Sequence, residues 1–390
     1  MASRLEEATG TAKKLLIGCG VIIVIVLLYT FISKLFKSEP PPYNPLPTVA
    51  DYGFGQNLPT LEFESIQLAV DSPKEYKLET TDGQLPNFFP IINVYKTEVP
   101  HQSLTSHDDA LAKAKALRFT SAPKAISSTE LKWTRGARTL KINKLYNTVE
   151  LTTDYEKDQE AQQPRDIQPD YNIYINKAKN ILTKANLFPQ GYEEGKNSAT
   201  YLKLNNKKEL RRAKSAAEAN FVRIDFFKRM ESVTPIIPSY FEEEQQEYYR
   251  KQTVYSHLQG DNPKEGLIYI VLGGVSESLD IYELKFTDWQ IEDTATYYLL
   301  PVYEAWTKLQ EEQAYLRYLL EPNTDPYEPY TPLDVEEYWI TNVKIAYYSS
   351  LDYIDFIQPV YEFSGIAMLS QDNRKADFSF YYPAIQITTN

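Results

Sequence analysis

The organisation of the chain is decided near its N-terminus by residues 15–32, LLIGCGVIIVIVLLYTFI, which contain no charged residue. Extended to Phe36, this run reaches the roughly 20 residues that a helix needs to cross a hydrocarbon layer of about 30 Å. A helix in a soluble core would carry polar residues along one face, and none stands between Cys19 and Leu28. The sequence therefore predicts a transmembrane helix over residues 15–36, preceded by a short cytoplasmic tail at 1–14.

The flanks of the apolar run favour a signal anchor over the alternatives. A cleaved signal peptide needs a small-residue cleavage site, which Lys34–Lys37 (KLFK) does not offer. Leu16–Cys19 (LIGC) has the letters of a lipobox, but a lipobox closes the apolar segment and here most of that segment follows the cysteine. Basic residues are slightly more numerous before the run than after it. We therefore predict a single-pass cell-membrane protein with a cytoplasmic N-terminus and an extracytoplasmic C-terminal part.

Composition limits what that C-terminal part can be. Of the 390 residues, 43% are hydrophobic and 24% are charged, which is ordinary for folded domains. The single cysteine, Cys19, lies in the apolar run, so neither disulfides nor cysteine-based metal sites are available to the rest. The net charge of −12 argues against nucleic acid as a partner, because an acidic surface repels phosphates.

Proline and charge patterns divide the rest of the chain. Residues 37–60 form a Pro-rich linker whose prolines between positions 40 and 47 favour polyproline II, a spacer of about 3 Å per residue. Two ectodomains are predicted, at 61–235 and 245–390, because prolines and then acidic residues interrupt the pattern between them.

Both predicted ectodomains mix strand and helix patterns. Helices are expected after Ser106, after Asp170 and over Lys207–Ala219, each next to segments with strand-like alternation. The strongest helical pattern covers Val302–Leu320, whose apolar stripe includes Trp306. These patterns predict an α+β fold in which the transmembrane helix is followed by antiparallel sheets, each covered by amphipathic helices.

No motif for catalysis, cofactor binding or metal binding is found. No catalytic, cofactor-binding or metal-binding residue is therefore predicted, and no cofactor is expected. His101, His107 and His257 do not have metal-ligand spacing and read as ordinary surface histidines. Gly274–Ser278 fails the Gly-x-Ser-x-Gly pattern at its last position. Ser121–Lys124 has the letters Ser-x-x-Lys, but its internal proline is incompatible with the helix that this motif opens.

Two compositional features suggest binding surfaces. The predicted helix over 207–219 would carry a basic face, which is either a solvated surface or a contact for an anionic partner; its members are Lys207, Lys208, Arg211, Arg212 and Lys214. The chain also has 31 tyrosines, several of them adjacent, as in Tyr347–Tyr348 and Tyr381–Tyr382. Adjacent residues in a strand point to opposite faces, so half of these rings are expected in the core and half on the surface, where rows of rings either bind a protein or glycan or form a solvated sheet face.

The C-terminal part carries a recognisable order of motifs. Glu304–Leu309 (EAWTKL) opens a helix, and Val343–Tyr348 (VKIAYY) and Ile357–Gly365 (IQPVYEFSG) follow it. This order resembles the YycH/YycI-like and PepSY-like extracytoplasmic proteins of bacteria. The resemblance implies a non-enzymatic, membrane-anchored protein that restrains a sensor kinase or, as in PepSY relatives, inhibits peptidases. The segment from Pro47 to Phe63 is similar to that of uncharacterised bacterial single-pass surface proteins.

Together these features predict a membrane-anchored extracytoplasmic binding or regulatory protein without catalytic activity, which engages another protein of the bacterial cell envelope. The first alternative is a cell-envelope hydrolase, which would require two carboxylates about 5–10 Å apart in a cleft. The second alternative is a structural component of a surface assembly, which would expose a large apolar patch. The sequence leaves the partner-binding residues and the oligomeric state open.

Overall fold

A computed structural model describes residues 49–70, 74–163, 165–233, 242–250, 253–274, 281–322, 324–370 and 374–386. The predicted tail, the predicted transmembrane helix at 15–36 and most of the linker lie outside these ranges. Within them, no helix is long and apolar enough to cross a membrane.

The chain divides into two compact units. One unit contains Met1–Leu46 and Pro235–Gln252, and its described residues include a single short helix. The other unit contains Pro47–Thr234 and Thr253–Asn390 and holds all of the strands.

Strands account for most of the described structure. The strands are β1 Glu75–Leu78, β2 Ile91–Thr97, β3 Lys124–Ala125, β4 Glu130–Arg135, β5 Arg138–Asn143, β6 Thr148–Thr153, β7 Lys196–Leu204, β8 Leu210–Arg212, β9 Phe221–Phe227, β10 Arg229–Val233, β11 Val254–Gln259, β12 Ile268–Leu272, β13 Ile281–Phe286, β14 Ile291–Tyr298, β15 Tyr315–Leu320, β16 Val335–Tyr348, β17 Phe356–Leu369 and β18 Lys375–Pro383. The helices are α1 Ser106–Ala116, α2 Tyr171–Lys184, α3 Glu243–Arg250 and α4 Val302–Gln310, and Ala216–Glu218 forms a 3₁₀ turn.

The predicted α+β class is therefore wrong, because the described residues are mostly β. Part of the error lies in the predicted helix Val302–Leu320, which ends at Gln310 because Glu312 adopts a left-handed backbone with φ of 60°. The leucines beyond it belong to β15 instead. Similarly, Lys207–Ala219 contains β8 and the 3₁₀ turn, so the predicted basic helix face does not form.

Sheet I has nine antiparallel strands in the order β3-β4-β5-β6-β13-β12-β9-β7-β8. Its strands alternate buried and more exposed residues, as in β5, where Leu140 and Ile142 are fully buried. Helices α1 and α2 pack their small and aromatic residues, including Ala114 and Tyr174, on this apolar face. Helix α2 begins at an N-cap, Asp170, whose carboxylate accepts a hydrogen bond from the backbone N–H of Asn172.

Sheet II also has nine strands, and its central order is β10-β11-β16-β17-β18-β15. Strand β1 pairs in parallel with β16, and β2 connects β14 to β17. Helix α4 covers part of its apolar face with Ala305 and Leu309, both fully buried. Among the adjacent tyrosines, Tyr347 and Tyr348 are both buried, whereas the buried Tyr297 and Tyr381 are each followed by a partly buried ring.

The strands of the two sheets are interleaved along the chain. Strands β1 and β2 precede the predicted domain boundary near residue 235, yet they belong to sheet II. Strands β12 and β13 follow that boundary and complete the middle of sheet I. Each sheet therefore takes strands from both predicted ectodomains.

Residues 49–70 run across sheet II as an extended segment, here called the strap. The backbone N–H of Tyr52 donates to the carbonyl of Thr296 on β14, and that of Ile66 donates to Leu316 on β15. Between these points, the Phe63 ring packs on the buried rings of Tyr348 and Tyr381. The strap thus spans sheet II from β14 to β15.

Candidate functional site

A cleft of about 510 Å³ opens where β9 continues into β10. Its walls come from the turn at 189–194, from the start of β10 and from the facing ends of β2, β11 and β14. It is lined by Tyr95, Pro189, Gln190, Gly191, Glu194, Lys228, Arg229, Met230, Glu231, Tyr255, Gln290 and Ile291. Aromatic, basic and acidic side chains therefore converge on one concave surface, as in many ligand sites.

The turn at 189–194 is held against β10 by its glycine. Gly191 has φ of 90°, a conformation that side-chain-bearing residues rarely adopt. Its carbonyl accepts a hydrogen bond of 2.8 Å from the backbone N–H of Arg229, and a Cβ at this position would lie 3.1 Å from the Arg229 carbonyl oxygen. A glycine is therefore required for the turn to form this side of the cleft.

The floor of the cleft is a buried ion pair. The Lys228 ammonium lies 2.9 Å from the carboxylate of Asp288, whose side chain is completely buried. The side-chain amide of Gln290 donates a second hydrogen bond of 2.9 Å to the same carboxylate. Burial raises the pKa of the Asp288 carboxyl, and the charge of Lys228 opposes that rise. Because removing one partner would leave a buried unpaired charge, the pair fixes the position of Lys228.

One wall of the cleft is a cation stacked on an aromatic ring. The Arg229 guanidinium lies 3.2 Å from the centre of the Tyr255 ring, and Tyr255 is 37% exposed. Arg229 has no carboxylate within ion-pair distance in the described part of the chain. The stack orients the planar guanidinium, which leaves its N–H groups available to a ligand.

The backbone of β10 is anchored from below. The carbonyl oxygen of Glu231 accepts hydrogen bonds from the Tyr95 hydroxyl, from the Asn93 side-chain amide at 3.3 Å and from the Tyr347 hydroxyl at 3.2 Å. Burial raises the pKa of both tyrosines, so both remain neutral donors. These bonds fix β10 before any ligand binds, which limits the entropy lost on binding.

The residues singled out by sequence do not assemble a site with one another. His257 lies on β11, opposite Arg229 in the β10–β11 ladder, whereas His101 follows β2 and His107 lies in α1. Lys124 begins β3. Within the described ranges, no group of three or more His, Cys, Asp or Glu residues is arranged to hold a metal ion.

The residues that form the cleft were missed by the sequence analysis. Arg229 and Glu231 alternate with the buried Met230 and Ser232 on β10, and Tyr255 and His257 alternate with the buried Ser256 and Leu258 on β11. Such polar alternation in two short adjoining strands is a usable signal, since residues two apart share one face of a sheet.

Three buried carboxylates elsewhere are matched by cations. Arg138 lies 3.0 Å from Asp158, Arg223 lies 2.7 Å from Asp225, and Lys344 lies 2.9 Å from Glu362. Each of these carboxylates is held in an ion pair by a cation on a strand.

No protein-family model matches this chain, and no curated protein matches it. Among solved structures, it is similar to an uncharacterised protein from Eubacterium rectale, with 12% sequence identity. That similarity covers 83% of this chain and 92% of the other chain, with a TM-score of 0.35. So low a TM-score supports no argument about fold or function.

Proposed function

We propose that this chain is a membrane-anchored binding or regulatory protein that holds an envelope protein in the cleft at β10. The single observation that carries the proposal is the Arg229–Tyr255 stack, a solvent-accessible pair above the fixed Lys228–Asp288 floor. Arginine and tyrosine are the residue types that most often dominate the binding energy of protein interfaces.

Two features of the sequence support the membrane part of the proposal. The uncharged run at 15–32 has the composition of a signal anchor, and the prolines between positions 40 and 47 would form a spacer between the lipid and the folded part. The resemblance of the C-terminal part to the YycH/YycI-like and PepSY-like proteins points to regulation of an envelope partner.

A thiol-directed crosslinker tests location and binding together. Ile291 lines the cleft and is 37% exposed, so Ile291→Cys presents a thiol there while leaving Arg229 and Tyr255 intact. Tyr303→Cys, at a position that is 62% exposed on α4, is the matched control. On intact cells, a membrane-impermeant maleimide bearing a photocrosslinker should label both variants, but only Ile291→Cys should yield a discrete crosslinked partner.

Different failures of this experiment refute different parts of the proposal. If both thiols are labelled only after lysis, the extracytoplasmic location is wrong. If both are labelled on intact cells and give the same crosslinks, the cleft is not the binding site. Adding Tyr255→Ala to Ile291→Cys should abolish the partner crosslink without reducing labelling, and a crosslink that persists would also contradict the role of the stack.

A further inference from the structure

Basic residues lie next to the cleft on strands of both sheets. Arg229 pairs with His257 in the β10–β11 ladder. Lys344 lies on β16, which pairs in parallel with β11, and Lys196, at the start of β7, pairs with Phe227 at the end of β9. Lys196, Arg229, His257 and Lys344 are here called the basic strip.

The charge of the basic strip is mostly uncompensated. Among these four residues, only Lys344 lies within ion-pair distance of a carboxylate in the described ranges, 2.9 Å from Glu362. The chain as a whole carries a net charge of −12. Arg229 and Lys196 lie over the rings of Tyr255 and Phe227, which orient their charges without neutralising them, so both can still meet an anion.

His257 has the properties of a neutral hydrogen-bond donor. It is half-buried, and burial lowers its pKa, while the positive charges of Lys196, Lys344 and Arg229 lower it further. At neutral pH the ring is therefore uncharged and keeps one N–H group to donate. An imidazole N–H beside an arginine guanidinium is a suitable donor set for oxygen anions.

We propose that the basic strip binds an oxyanion, a carboxylate or a phosphate group, carried by the ligand that occupies the cleft. The inference rests on the proposed binding function, and Arg229 joins the two regions because it both lines the cleft and faces His257 across the ladder. The acidic side chains nearby are Glu194 and Glu231, which line the cleft, and Glu362 beside Lys344. Glu231 lies two residues from Arg229 on β10, opposite Tyr255, so the oxyanion would lie on the His257 side of Arg229.

The three histidines of the chain allow a direct test by proton NMR. The pKa of each ring is measured in sodium chloride, sodium formate and sodium sulfate at equal ionic strength, with formate representing a carboxylate and sulfate a phosphate. An anion bound beside His257 stabilises the imidazolium, so its pKa should rise by about one unit. His101 and His107 lie outside the strip and report the general salt effect in the same sample.

Each result of this test has a defined meaning. A shift in formate alone identifies a carboxylate ligand, and a shift in sulfate alone identifies a phosphate. The shift should disappear in the double variant Lys196→Gln, Arg229→Gln and persist in Lys124→Gln, which removes an exposed cation from β3. The proposal is overturned if His257 responds no more than His107, or if the double variant retains the response.

The test separates the two proposals. A specific crosslink from Ile291→Cys without an anion effect on His257 would refute the oxyanion site and leave the binding function standing. An anion effect without any crosslink would refute the protein partner and leave the strip as a site for a small anionic ligand.

Discussion

At the scale of single residues, the chemistry of this protein lies in polar groups buried between strands. Arg223 is bound to both oxygens of Asp225, lies 3.0 Å from Glu265 and stacks 4.0 Å from the centre of the Tyr269 ring. Burial raises the pKa of the Asp225 carboxyl, whereas the charge of Arg223 lowers it. Such a network specifies one arrangement of its strands, because breaking any contact leaves a desolvated charge.

A β-bulge adds a buried carboxyl to the same sheet. Val271 pairs with Glu283 while the next residue, Leu272, pairs with Ile281, so Tyr282 is the extra residue. The Tyr155 hydroxyl donates a hydrogen bond of 3.1 Å to Glu283. Burial raises the pKa of this carboxyl above its ordinary value, and the bond from Tyr155 only partly opposes the rise.

This raised pKa predicts a pH-dependent effect of Glu283→Gln. Between the ordinary pKa of glutamate, about 4.3, and the raised value, the folded protein binds more protons than the unfolded chain, so stability falls as pH rises. Glu283→Gln has no carboxyl to ionise at this position, so it does not lose stability in this way. Its stability relative to the wild type should therefore increase as pH rises from about 4 to about 8. Urea denaturation across this range checks the sign, and a stability difference that is constant or decreases would contradict it.

At the scale of elements, local signals identified where several helices and strands begin. The Asp170 cap, the helix after Ser106 and the strands around Val343 and Ile357 all follow from short-range patterns. The structure of the stretch after Gln310 does not follow from such patterns, because Leu316 and Leu319 suit either a helical stripe or a strand. These leucines form a strand because they pair with Phe380 and Phe378 on β18, a strand that is distant in sequence.

The short helix α4 is nevertheless expected to be important for stability. Leu309 is completely buried in the core of sheet II, whereas Trp306 is only partly buried beside Phe363. Leu309→Ala should therefore lower the free energy of unfolding by about 2–5 kcal/mol. Lys308→Ala, which removes only an exposed pair with Glu311, should change it by less than about 0.5 kcal/mol. Equal denaturation midpoints for the two variants would show that α4 does not close the core.

At the scale of the whole molecule, tertiary pairing overrides the domain division that the sequence suggests. The prolines near residue 235 are real interruptions of pattern, but β12 and β13 still complete sheet I with strands that precede them. The cleft depends on the same interleaving, since Gly191, Arg229 and Tyr255 converge only when both sheets have formed. Periodicity and capping act within about a dozen residues and cannot report such pairings. This is why many strands could be foreseen while the convergence of their residues into a cleft could not.

Interleaved sheets predict how the folded part of the chain unfolds. Because each sheet takes strands from both sides of residue 235, neither half of the chain can complete a sheet alone. A fragment covering residues 49–390 should therefore unfold in one cooperative transition, with calorimetric and van't Hoff enthalpies in agreement. A fragment covering 49–234 lacks β12 and β13 and should show no cooperative transition. A fragment covering 71–390 lacks the strap and the contacts of Phe63 with Tyr348 and Tyr381, so it should melt at a lower temperature than 49–390. Two separate transitions in the longest fragment, or cooperative melting of 49–234, would show that the halves fold independently despite their shared sheets.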